Sequence, residues 1–316
     1  MAGSGETAVV PITKPAIAAG GAVSRGAVAP DEAGAGQVPR GVSMSGAERL
    51  SRNRFWPAVP QAVVVPLCLL LLWQFVGALD VIPAGVLPPP TRVVEGWWTW
   101  AFGNVGLGLN SYSGTWFGNL LFSSQRVLEG YALAIALAVP LGVMIGWNRL
   151  VARMVDPTIQ GLRPVPITAW LPFSIAIFGI RDFGAVFLIA LGAFYPIVVN
   201  SAHGARDVNR NLIRAARMMG ATPRQLLFRV VFPSALPAIF TGLRLGLGVS
   251  WTAVIVSEMV AVKSGLGYVL WDAYYVGRMD IVMADMVSIG MMGFLTDRIL
   301  LLIESRALAW KQRSGS

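Results

Sequence analysis

Six stretches of about twenty mostly apolar residues, each the length a bilayer crossing requires, limit what this chain can fold into more than any other feature. They fall at 62–79, 124–147, 157–180, 183–200, 237–262 and 281–303. Lipid offers no hydrogen-bond partners, so a spanning segment must satisfy its own backbone groups, and runs of this length read as helices. The expectation is an all-α membrane protein with six transmembrane helices. Charged residues make up only 13% of the 316 residues and hydrophobic ones 55%. That is too little charge to cover a lone water-soluble domain. The single cysteine, Cys68, lies inside the first run and excludes a disulfide or cysteine metal framework.

Two regions stand apart from the spans. Residues 1–55 are rich in Gly, Ala, Pro and Ser without sustained periodicity and read as a disordered cytoplasmic tail. They lack the apolar core of a secretory signal. The remaining 56–313 read as one transmembrane domain. Segment 97–122 carries four tryptophans but is interrupted by Asn104, Asn110, Ser111 and glycines. It reads as an interfacial helix and loop rather than a further span.

The formal charge of +9 would suggest nucleic acid in a soluble protein. Here the basic residues sort by topology. Seventeen fall on the side of the two termini and five on the other, with Arg163, Arg244 and Arg298 inside spans. The positive-inside rule places both termini in the cytoplasm and accounts for the charge without a nucleic-acid partner.

The longest polar segment between spans, 203–233, follows the fourth run. Its first half places Arg210, Arg214 and Arg217 on one helical face, with Leu212, Ala215, Ala216 and Met219 opposite. Gly220 suits a left-handed C-cap before Ala221. Thr222 and Pro223 then suit an N-cap and first-turn proline. A second short helix follows, closed by Pro233 and Pro237. Such a knob suits either a hairpin lying on lipid headgroups or a docking element for a cytoplasmic partner.

Within the spans, the prolines at 164, 166 and 172 interrupt the third run, as in helices that border a cavity. Pro166, Thr168, Trp170, Ser250 and Thr252 are candidate pathway residues. Glu258 is a candidate for a gate or pathway role, or for a structural partner near the interface, since intramembrane charge is functional by default. Arg126 and Glu129, three apart, are expected to neutralise each other. Arg244 is expected to be structural or phosphate-anchoring. His203 has no Cys or carboxylate cluster beside it, and no GxxxxGK[ST] loop is present.

The segment RAARMMGATPRQLLFRVVFP resembles the EAA motif of ABC-importer permeases. Ala215 and Ala216 match, Gly220 follows at the expected spacing, and Pro233 sits in the proline slot. Arg214 replaces the usual Glu, and Val230 and Phe232 replace Ile and Leu. SSQRVLEG, DPTIQGLRPVPITAWLPFSIAIFGI, GAFYPIVVNSAHG, GLRLGLGVSWTAVIVSEM and SGLGYVLWDA are similar to the taurine, alkanesulfonate, nitrate and bicarbonate branch. The match runs over 85–305, with its core at 119–305.

The resemblance implies a type I importer permease fold with a coupling helix between helices 4 and 5. It implies two ABC ATPase subunits, a second permease copy, and a periplasmic or lipid-anchored binding protein. ATP and Mg would be bound by the ATPase, with no cofactor in this chain, and ATP hydrolysis would not be its own reaction. The location implied is a bacterial inner membrane, and the solute a small anion or zwitterion. The alternative is a self-contained secondary transporter or channel for a small organic anion, for which inverted repeats or midplane carboxylates would be expected.

Overall fold

The structure is a computed structural model, and it describes residues 58–79, 83, 85–103 and 112–309, with side chains from Val64 onward. The expected tail at 1–55 therefore lies outside the described residues. The described residues form helices and no strand, in agreement with the all-α expectation.

Helix α1 (Ala58–Ala78) exposes Val64, Val65, Leu67 and Leu69 through Leu72. That pattern suits lipid contact around much of its circumference. Helix α2 (Pro90–Phe102) begins with its proline in the first turn, where the missing N–H costs nothing. Helix α3 (Trp116–Trp147) starts well before the predicted residue 124. The interfacial reading of 97–122 holds only in part: Trp100 is fully buried and Trp116 nearly so. Their indole N–H groups donate to Thr115 Oγ1 at 3.2 Å and Ser288 Oγ at 2.9 Å. Partnered in this way, the two rings can sit in the core rather than at a polar boundary.

Helix α6 (Asp182–Arg206) is central, packed between α3 on one side and α9 (Phe232–Ala261) on the other. Glycines set both approaches. A methyl group on Gly142 would lie 2.6 Å from Ser201 Cβ and from the Val198 carbonyl, and Gly146 is equally tight against Ala205 and the Ala202 carbonyl. On the other face, Gly242 sits against Asn200 and the Pro196 carbonyl, and Gly246 against Ile197 and the Ala193 carbonyl. Both pairs are spaced four apart, the pattern that lets helix backbones pack closely where lipid supplies no hydrophobic drive.

The predicted third span is two helical segments rather than one. Helix α4 (Arg149–Leu162) is followed by a 3₁₀ turn (Ile167–Trp170) and α5 (Leu171–Phe178), bent by 94° at the break. Arg163 before Pro164 still keeps helical backbone, and the chain leaves the helix by Pro166, which is extended at φ −63° and ψ 143°. Arg149 and Arg153, expected in a loop, lie on α4, whose first turn is capped by the Asn148 side chain accepting from Leu150 N–H at 2.8 Å.

Helix α7 (Arg210–Met218) precedes α8 (Pro223–Leu226), which does not end before the fifth span as expected. It continues through a π-helical stretch (Leu227–Val231) into α9, giving one helix of 39 residues. Pro233 cannot donate, and its ring crowds the carbonyl four residues back. The wider π turn just before it accommodates that crowding. Helices α10 (Leu266–Tyr275) and α11 (Met279–Ala307) complete the described chain. Among the described residues, four helices are long and apolar enough to cross a membrane, or five with the bent pair, and Val64–Ala78 at the first predicted span is a shorter apolar helix.

Candidate functional site

At one end of the bundle, α3, α6, α9 and α10 meet around Glu258, which is fully buried on α9. Its carboxylate accepts from Ser123 Oγ at 2.8 Å, Arg126 Nη1 at 2.7 Å and Gly267 N–H at 2.9 Å. Arg126 also pairs with Asp182 at 2.7 Å and donates to the carbonyl and hydroxyl of Ser264 at 2.8 and 2.7 Å. All three guanidinium nitrogens of Arg126 and both carboxylate oxygens of Glu258 are partnered, as a buried ion pair requires. Gly265 has φ +107°, and a side chain there would overlap the Glu258 carboxylate.

This corrects the expected Arg126–Glu129 pair. Glu129 is exposed and accepts from Gln125 Nε2 at 2.8 Å, while Arg126 turns to residues far away in the chain. Asp297 pairs with Arg244, Nε to Oδ1 at 3.0 Å and Nη2 to Oδ2 at 3.2 Å, joining α9 to α11. That two-point geometry gives Arg244 a structural partner within the bundle.

A cavity of about 330 Å³ lies where α4 and α5 bend against α6 and α9. Arg163, Val165, Pro166, Ile167 and Trp170 line it from the bend, Gly192, Tyr195 and Pro196 from α6, and Val249 from α9. Of the predicted pathway residues, Pro166 and Trp170 face this space, and Thr168 is exposed on the same turn. Ser250 is buried and bonds to the Gly246 carbonyl of its own helix at 2.9 Å. The exposed Thr252 bonds to the Gly248 carbonyl at 3.3 Å, and Glu258 belongs to the network above. The structure does not bring these three to the cavity. Arg163 and Tyr195 were missed as candidates; an arginine next to the Pro-x-Pro break in an apolar run was the available signal.

At the other end, α7 is capped by the Asn209 side chain, which accepts from Asn211 N–H at 2.9 Å. Gly220 takes φ +82°, and Ala221 N–H donates to the Ala216 carbonyl at 3.1 Å, closing the helix as expected. Thr222 and Gln225 form a reciprocal capping box, with Pro223 at the first position of α8. Ala216 is buried, while Arg210, Arg214, Ala215 and Arg217 are exposed. Ile213 and Leu227 pack on a small core of Val143, Ala205, Val231 and Ala235, which seats the element on α3, α6 and α9. Pro233, half-buried, lies in the first turn of α9. Met218 and Met219 protrude, more than 80% exposed.

A bundle of close-packed apolar helices, one broken beside a cavity and a rigid polar element at one end, defines a membrane transport subunit. Residues 138–308 match the family model for the binding-protein-dependent transport system inner membrane component, and the chain belongs to that family. It is 32% identical to a putative aliphatic sulfonates transport permease of Bacillus subtilis, over 88% of this chain and 96% of that one. It is 34% identical to the taurine transport system permease of Escherichia coli, over 77% and 86%. A putative ABC transporter permease of Methanocaldococcus jannaschii is 41% identical over 63% of this chain and 75% of that one. The fold matches an inward-facing MetNI methionine ABC transporter chain with TM-score 0.53 at 20% identity, covering 60% of this chain and 95% of that chain.

Proposed function

We propose that the chain forms the translocation pathway of an ATP-driven importer for a small anionic or zwitterionic solute of the sulfonate, taurine, nitrate or bicarbonate class. It works as one of two permease copies in a bacterial inner membrane with both termini cytoplasmic. Residues 203–233 dock on a separate pair of ABC ATPase subunits that bind ATP and Mg, so that ATP hydrolysis belongs to the partner and no cofactor to this chain. A periplasmic or lipid-anchored binding protein delivers the solute.

The observation that carries this reading is the capped α7 element, which presents two bare methionines at a rigid tip. Exposed flexible thioethers suit a groove on a protein partner better than they suit water. The charge at Arg214 then faces the ATPase, where an acidic residue would match it.

The test is tagged purification from native membranes, mass spectrometry of what co-elutes and an ATPase assay. A stoichiometric ATPase that is lost on Gly220→Leu or Met219→Glu supports the reading. A chain that elutes alone and moves solute in proteoliposomes without ATP overturns it in favour of a secondary transporter.

A further inference from the structure

The cavity at the bend has a chemistry that goes beyond its place in a pathway. Tyr195 is the fourteenth of the 25 residues of α6. At about 1.5 Å per residue it lies roughly 20 Å from one end of that helix and 17 Å from the other. The cavity is therefore close to mid-bilayer, where an arginine is costly unless it meets an anion, protein or water. Among the described residues, Arg163 takes part in none of the ion pairs. The Trp170 ring lines the space, but its indole N–H is buried away from it. A guanidinium can only donate, and no carboxylate lines the space.

Resting on the reading of this cavity as pathway wall, the geometry points to an anion subsite there. The Arg163 guanidinium supplies charge, the Tyr195 hydroxyl a neutral donor and the Trp170 ring an apolar wall, to a solute monoanion of sulfonate size or smaller. A cation would find no counter-charge, and an uncharged solute would leave the arginine uncompensated.

The test uses the purified permease with its co-eluting partners, nucleotide-free, in phosphatidylcholine nanodiscs. Trifluoromethanesulfonate is titrated in and followed by fluorine NMR line broadening. Saturable broadening is expected, weakened about tenfold or more by Arg163→Gln, the scale of one lost charge-assisted contact. Arg163→Lys is expected to recover part of it, keeping charge without the planar fork. Tyr195→Phe, which keeps the ring and removes one donor, is expected to weaken it about threefold. Arg153→Gln, exposed on α4, serves as the charge control and leaves it unchanged.

A wild type without saturable binding, or binding that Arg163→Gln and Tyr195→Phe leave intact, overturns the subsite. Binding abolished by adding phosphatidylglycerol to the nanodiscs also overturns it, by assigning the arginine to a lipid headgroup. ATPase co-elution, scored on the same wild-type sample, reports separately on the importer reading. ATPase without Arg163-dependent binding sinks the subsite alone, and Arg163-dependent binding without ATPase sinks the importer reading alone.

Discussion

The Arg126–Glu258 pair shows what single residues contribute to this bundle. Glu258 holds one strand of chain from each of α3 and α10 against α9 through side-chain and backbone donors. Removing it leaves a nearly buried guanidinium with Asp182 as its remaining ionic partner, and Asp182 is 68% exposed. Glu258→Ala is expected to cost about 3–5 kcal/mol, measured as lost thermal stability in detergent. Arg126→Met combined with Glu258→Leu is expected to recover most of that loss, because no charge is then left buried alone. If the double variant is no more stable than Glu258→Ala, the network is not what holds these helices together. None of this was legible from spacing. Helical neighbours pointed Arg126 to Glu129, whereas its partner lies 132 positions away, chosen by how α3 and α9 pack. Glu258 itself was legible, since an acidic residue in an apolar run has to be explained.

Among the elements, those built from periodicity and capping chemistry were readable, and those decided by packing were not. Gly220, Thr222 and Pro223 carried their own local instructions, and the structure uses each of them at the expected place. The broken third span was visible as prolines, but its 94° bend was not, because the direction of the second half depends on the surface of α6. The continuity of α8 with α9 ran against the local reading, since two prolines suggested a stop where a π turn absorbs the first of them. The glycine pairs at 142 and 146 and at 242 and 246 set the distance between the central helices. Gly142→Leu is expected to destabilise by about 1–3 kcal/mol or more, with a lower yield of folded protein by size-exclusion chromatography. Gly248→Leu is the matched control, because open space surrounds that glycine. Equal behaviour of the two would show that α3 and α6 are not held by that contact.

At the scale of the whole molecule, the two ends of the bundle differ in kind. One carries α7 with its arginines, and the other the Glu258 network and the aromatic end of α10, where Trp271, Tyr274 and Tyr275 cluster. The charge distribution predicts that α7 is cytoplasmic. With Cys68 replaced by Ser, a cysteine at Asn211 is expected to react with an impermeant maleimide only after cells are opened. A cysteine at Tyr275, which is 70% exposed, is expected to react in intact cells. Reversed labelling would invert the topology and remove α7 from reach of a cytoplasmic ATPase.

The unbroken run from Pro223 to Ala261 has a mechanical consequence. A helix of 39 residues is a rod of about 58 Å, with one tip beside Gly220 and the other beside Gly265. A tilt of about 5° about its midpoint swings each tip by roughly 2.5 Å in opposite directions. On the proposed coupling, a push delivered at the methionines is expected to reach the far tip as a lever stroke about Gly242 and Gly246, less what the π turn and the prolines at 233 and 237 absorb.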